Sequence, residues 1–228
     1  GGALATAFGQ IALGDWDAPA NRTLSAATFL VNDGVTEALQ FDGVLNAGLY
    51  VTDSILPLLA DGALPLRQLA LEVWFSPTQA AVTKAGLVGL LADNVNSGCQ
   101  KGWGLTYTQL PQATLFEFRL VLASGGASTL NTLSQQRAPA LSPGSWNHVV
   151  ATYDGFTMAI YLNGALVADP AQPPSCPSPV PATASACGDI AYPHGSPCDE
   201  TNTPLTIGTL DNRQYPASNP LGFSPHVG

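Results

Sequence analysis

Across residues 145–168, SWNHVVATYDGFTMAIYLNGALVA, apolar and polar positions alternate with a period of two, broken at Asp154-Gly155 and at Asn163-Gly164. Between these dipeptides Met158, Ile160 and Leu162 point one way, and Thr157, Ala159 and Tyr161 the other. That period is the signature of a strand with one buried face. Asn-Gly and Asp-Gly favour two-residue hairpins, because both central positions take φ > 0 at little cost. The stretch predicts a β-meander: a strand over 146–153, one between the two turns, and one over 165–168.

The same alternation recurs elsewhere. Over residues 69–75, Leu69, Leu71, Val73 and Phe75 share one face, while Glu72 and Trp74 share the other. Over 115–122, Phe116, Phe118, Leu120 and Leu122 oppose Glu117 and Arg119. Residues 86–92 and 102–109 read as further strands, 129–136 as a short one, and 39–51 as two short strands around Asp42-Gly43. Residues 1–35 are weakly patterned, and 55–66 read as a connection with room for one helical turn. No segment of ten or more residues has helical periodicity. Regular strands separated by turn residues predict an all-β sandwich.

The meander carries Trp146-x-His148-Val149-x-x-Thr152-Tyr153-Asp154-Gly155, followed by Ile160-Tyr161-Leu162-Asn163-Gly164. It resembles the core of laminin-G-like domains in the concanavalin A-like lectin/glucanase superfamily. Four other fragments agree in order: Glu37-Ala38-Leu39-Gln40-Phe41-Asp42-Gly43, Leu71-Glu72-Val73-Trp74-Phe75-Ser76-Pro77, Gly102-Trp103-Gly104-Leu105 and Pro204-Leu205-Thr206-Ile207-Gly208. The resemblance implies a two-sheet antiparallel jelly-roll sandwich, one domain over residues 1–228, typically extracellular. It does not imply one activity, because this fold carries lectins, adhesion modules and glycosidases alike. The family's last strand, of the form Gly-x-Ile-Asp-Glu-Val, has no counterpart before Gly228. The chain therefore reads as a fragment whose natural polypeptide continues, or whose empty edge another chain fills.

The 228 residues suffice for one large sandwich. Sixteen acidic against seven basic residues give a net charge of −9. That sign argues against nucleic acid, whose binding rests on neutralising phosphates, and suits calcium or neutral glycans. No apolar run approaches the roughly 18 residues of a membrane span. Gly1-Gly2-Ala3 carries no basic leader, so the sequence reads as a mature or excised piece. Asn21-Arg22-Thr23 is a glycosylation sequon, with Asn21 as the acceptor.

Residues 169–203 form a Cys/Pro-rich insert loop without hydrophobic periodicity, and three of the four cysteines, Cys176, Cys187 and Cys198, lie in it; the fourth is Cys99. Four cysteines in a loop-rich β-protein point to two disulfides and an oxidising compartment. All three pairings stay open, but Cys99 must bond into the insert. Zinc held by these cysteines and His194 is the competing reading, and no Cys-x-x-Cys spacing supports it. The Pro-rich run Pro173-Pro174-Ser175-Cys176-Pro177-Ser178-Pro179-Val180-Pro181 favours polyproline II, a surface for a partner or sugar.

Glycosidases of the resembled superfamily place two carboxylates across one sugar bond, roughly 5–10 Å apart. The chain has four Glu, namely Glu37, Glu72, Glu117 and Glu200, and no strand carries two of them. Glu72 and Glu117 could meet only across a sheet. No Gly-x-Ser-x-Gly elbow is present, and His148, inside the recognised strand, is assigned to packing. No catalytic residue is expected. Calcium, which takes six to eight oxygen ligands from irregular loops, has candidate ligands in Asp93, Asn94 and Asn96 and in Asp211 and Asn212. Flat rings suit the C–H face of a sugar, which makes Trp74, Trp103, Tyr107 and Tyr161 candidate ligand-binding residues.

These readings converge on a non-catalytic structural or adhesion module of a larger extracellular or cell-surface glycoprotein. Its partners are other protein chains or further domains of the same polypeptide. A lectin-type carbohydrate-binding module is the first alternative and a glycoside hydrolase of the same fold the second. If calcium holds the rim, a chelator lowers the melting temperature; an unchanged melting temperature removes the ion from the account.

Overall fold

The computed structural model describes residues 11–13, 28–32, 37–41, 49–51, 64–77, 82–92, 99–124, 127–167, 188–193, 205–208, 210–211 and 223–224. Along these residues run fifteen strands: β1 (Ile11–Leu13), β2 (Thr28–Asn32), β3 (Glu37–Phe41), β4 (Leu49–Val51), β5 (Leu69–Phe75), β6 (Val82–Ala92), β7 (Lys101–Leu110), β8 (Ala113–Ser124), β9 (Ala127–Pro139), β10 (Asn147–Tyr153), β11 (Met158–Leu162), β12 (Ala165–Leu166), β13 (Leu205–Ile207), β14 (Leu210–Asp211) and β15 (Phe223–Ser224). A seven-stranded sheet has the order β1-β4-β13-β6-β7-β8-β9, and a four-stranded sheet the order β12-β11-β10-β5. Every strand pairing is antiparallel. This is the all-β, two-layer architecture expected from the alternation.

The core lies between the two sheets. From the larger sheet, Leu105, Phe116, Phe118, Leu120 and Leu122 are fully buried; from the smaller, Val149, Ala151 and Ile160 are. Aromatic rings lock the layers together: Phe75 lies 5.0 Å from Tyr107 at 47° and 6.2 Å from Phe116, edge to face. Such pairs add roughly 0.5–1.5 kcal/mol beyond the area they bury. A buried polar network fixes one end, where the Gln109 amide donates to the Leu141 carbonyl (2.6 Å) and the Thr114 hydroxyl to Gln109 Oε1 (3.0 Å).

The two dipeptides of the meander differ in structure. Asn163 (φ 50°) and Gly164 (φ 81°) make the expected two-residue turn between β11 and β12. Asp154-Gly155 does not make one. Tyr153 pairs with Met158, so four residues form the loop, and Asp154 Oδ1 accepts from the backbone N–H groups of Phe156 (2.8 Å) and Thr157 (2.7 Å). The Asp side chain imitates a backbone turn, and Gly155 alone takes positive φ in that loop.

Pairing near the N-terminus also differs from the sequence reading. Strands do flank Asp42-Gly43, but β3 pairs back with β2, whereas β4 lies between β1 and β13. β1 and β2 fall in the weakly patterned 1–35, too short for alternation to mark. The connection over 52–63, most of the insert and Asn21 lie outside the described residues.

One stretch of the insert, 188–193, is described, and it is no surface appendage. Ile190 is 2%, Tyr192 6% and Ala191 9% exposed. Its backbone is bonded on several sides: Ile190 N–H donates to Leu66 O (2.6 Å), Ala191 N–H to Val121 O (2.7 Å), Gly102 N–H to Ala191 O (2.9 Å) and Ala123 N–H to Asp189 O (2.8 Å). The Tyr153 hydroxyl donates to Gly188 O (2.6 Å), and the Trp103 indole N–H to the Tyr192 hydroxyl (3.1 Å), which in turn donates to Pro65 O (2.9 Å). Gly102, beside this strap, has φ 85°, and a Cβ there would lie 1.6 Å from Leu90 O.

Truncating a ring between the layers leaves a cavity that neighbours cannot close. Phe116→Ala is expected to cost about 3–5 kcal/mol of unfolding free energy in a urea titration; a loss under about 1 kcal/mol contradicts this packing.

Candidate functional site

The outer face of the four-stranded sheet carries the most exposed chemistry among the described residues. Register dictates its layout. Burial along β10 alternates strictly, placing Asn147, Val149, Ala151 and Tyr153 inward and His148, Val150 and Thr152 outward. In the antiparallel pair with β5, His148 lies opposite Trp74, Val150 opposite Glu72 and Thr152 opposite Ala70. On the other side Val150 lies opposite Tyr161, which faces Leu166 of β12. Directly opposed residues share a face.

Trp74 is 62% exposed, unusual for an indole. It stacks on the His148 imidazole, with centroids 4.5 Å apart and planes 18° from parallel. His148 Nε2 lies 2.8 Å from Glu72 Oε1, and the Glu72 side chain is 65% exposed. The His148 backbone is clamped by the adjoining turn: its N–H donates to Asn163 Oδ1 (2.8 Å), and Asn163 N–H donates to His148 O (2.7 Å). Together these contacts fix an indole, an imidazole and a carboxylate on one surface.

The four aromatic candidates separate. Trp74 and Tyr161 are on this face. Trp103 (7% exposed) and Tyr107 (1%) are in the core between the sheets, so they cannot reach a ligand on it; their alternation places them opposite Leu120 and Phe116 on the inner side of β7. His148, assigned to packing from sequence, instead lies on the outer face. The alternation of Val149, Ala151 and Tyr153 already directs it outward; its partner on β5 is not legible without the register.

Glu72 and Glu117 do not meet. Glu117 alternates with Phe116 and Phe118 and projects from the outer side of the seven-stranded sheet, the far side of the sandwich from Glu72. Lys84 Nζ (3.0 Å) and Arg119 Nε (3.1 Å) both contact its Oε1. Two cations on one carboxylate make a structural ion cluster.

Of the calcium candidates, Asp93, Asn94, Asn96 and Asn212 lie outside the described residues, and Asp211 is in β14. Among the described residues no group of three or more His, Cys, Asp or Glu side chains is gathered. Cys99 is 6% exposed and disulfide-bonded; Cys176, Cys187 and Cys198 lie outside the described residues. No described helix is long and apolar enough to cross a membrane.

Residues 51–197 match the laminin G family model described as the concanavalin A-like lectin/glucanases superfamily. The chain belongs to that family. It is 31% identical over 119 residues to pappalysin-1 of Mus musculus, a match covering 51% of this chain and 7% of that protein. The chain thus spans a small part of that relative's length. Among solved structures, domain 4 of an extracellular GH43 arabinanase from Geobacillus stearothermophilus, in complex with arabinotriose, superposes with TM-score 0.42 at 12% identity, covering 87% of this chain and 71% of that one. The CBM40 of a Ruminococcus gnavus sialidase bound to α2,3-sialyllactose gives TM-score 0.42 at 13% identity, covering 82% and 89%.

Ionisation of the buried phenols couples to stability. Burial pushes Tyr107 up to about 12. Burial, with Asp154 and Asp189 adding and Arg67 opposing, pushes Tyr153 up to about 12 as well. In the unfolded chain these groups ionise near 10.0. Above that pH the unfolded state sheds protons that the folded state keeps, so stability is full below pH 10 and lost as pH climbs through 12. The urea midpoint is expected to hold between pH 8 and 9 and to fall at pH 11; a midpoint flat to pH 11 contradicts buried phenols.

Proposed function

We propose that this chain is a non-catalytic recognition module of a larger secreted or cell-surface protein, binding a protein partner through the outer face of the four-stranded sheet. The observation that carries the proposal is Trp74: a large ring, mostly exposed, yet held rigid by His148. Binding energy at interfaces concentrates in such residues, because a fixed aromatic buries much area at small entropic cost. On the neighbouring strand Val150, diagonal to Trp74 and opposite Glu72, adds apolar surface on the same face.

Supporting features agree. Family membership brings a fold that hosts binding modules, and the match to a small portion of a much longer relative suits one module among several. The bonded state of Cys99 suits an oxidising compartment. The separation of Glu72 from Glu117 removes the one carboxylate pair that the sequence left open. A lectin-type role is the second reading, favoured by Trp74 and Tyr161 sharing a face.

The test is an array of extracellular proteins and glycans probed with the intact chain and with Trp74→Ala. Capture of a protein that weakens about tenfold or more in the variant, with the melting temperature kept, is the expected result. Capture of one sugar, lost in the variant, replaces the first reading with the second. Polysaccharide cleavage lost in Glu72→Gln overturns the non-catalytic assignment.

A further inference from the structure

Resting on that reading of the face, we infer that the partner offers an arginine side chain, seated on the open side of the Trp74 indole and attracted there by the Glu72 carboxylate two residues away on the same strand. One side of the indole is occupied by His148, stacked nearly parallel; the 62% exposure of Trp74 leaves the other side to solvent. An aromatic face with negative quadrupole attracts a cation within about 6 Å of its centroid, and indole does so best.

Glu72 stands two residues from Trp74 on the same strand and the same face, roughly 6–7 Å along the chain. His148 occupies its Oε1, and a carboxylate has acceptor sites on both oxygens. A guanidinium is flat enough to stack on the open face of the ring, and the Glu72 carboxylate nearby on the strand supplies the attracting charge. A lysine ammonium supplies a point charge without the matching plane.

The surroundings select for charge. Ala70, Val150, Thr152, Tyr161 and Leu166 complete the face by register, with Ala159 buried beneath it. None of these is an Asp, Glu, Lys, Arg or His. A cation is therefore attracted to one point on the face. The chain's net charge of −9 draws basic partners toward it from a distance. A neutral sugar would need several free hydrogen-bonding groups around the ring, and the polar side chain directly beside it, His148, is already stacked on the indole and bonded to Glu72.

The experiment titrates the labelled intact chain with Ac-Gly-Arg-Arg-Gly-amide, its citrulline counterpart and maltotriose, following the Trp74 indole N–H and His148 ring signals by NMR. The arginine peptide is expected to shift both, and the citrulline peptide to bind about tenfold more weakly, the size of one charge-assisted contact. Glu72→Gln is expected to bring the arginine peptide to the citrulline level with the rest of the amide spectrum unchanged, and Trp74→Leu to abolish the shift of the His148 ring signals. Equal binding of the two peptides, no shift with either, or shifts with maltotriose alone overturns the arginine assignment. A partner found on the array that depends on Trp74 but not on Glu72 also overturns it while leaving the face intact; a partner insensitive to Trp74→Ala takes down the face itself.

Discussion

The register between β5 and β10 is the constraint on which the rest depends. Seven consecutive pairs, from Asn147 with Phe75 to Tyr153 with Leu69, fix which residues face inward. The same pairing that buries Leu71, Phe75, Val149, Ala151 and Tyr153 sets Glu72, Trp74 and His148 side by side outside. A slip of one residue would exchange the two faces, burying a carboxylate and exposing the core rings. The outer face therefore inherits its precision from the core. Burial of Phe75 against Tyr107 and Phe116 holds the strand that presents Trp74.

A second tie closes the sandwich from its side. Residues 188–193 pass from Tyr153 of the smaller sheet to Val121, Ala123 and Gly102 of the larger, and back to Pro65 and Leu66 before β5. Their bonds are mostly backbone to backbone, so they demand a path rather than particular side chains. Ile190 and Tyr192 then fill the end of the core. Cys99, close along the chain to Gly102, is buried and disulfide-bonded.

Much of this is legible in the sequence where one face is buried and the other wet. β5, β8, β10 and β11 announce themselves by alternation, and Asn163-Gly164 by the φ values its turn needs. What alternation cannot convey is partnership. It locates strands near Asp42-Gly43 but not that they join different neighbours, because loop closure over long spans leaves no local mark. The strap is hidden for a related reason: it is a single buried crossing, held by main-chain bonds, in a composition that otherwise reads as surface. Of the site, Trp74, Glu72 and Tyr161 can be placed outward from sequence, whereas Trp103 and Tyr107 look equivalent until β7 is seen with its inner face on the core. His148 is the clearest case. Its direction follows from Val149 and Ala151, yet its role appears only when β5 is laid beside it.

The chain thus presents a scaffold of family-typical strands with Trp74, His148 and Glu72 together on the outer face of the smaller sheet. Its central claim is that β5 and β10 pair in the register that stacks Trp74 on His148. Cross-strand nuclear Overhauser effects test this most directly. The account predicts strong effects between the Trp74 indole protons and the His148 ring protons, together with contacts from Val73 to Val149. Trp74 indole effects to Tyr107 or Phe116 instead, with none to His148, would contradict it.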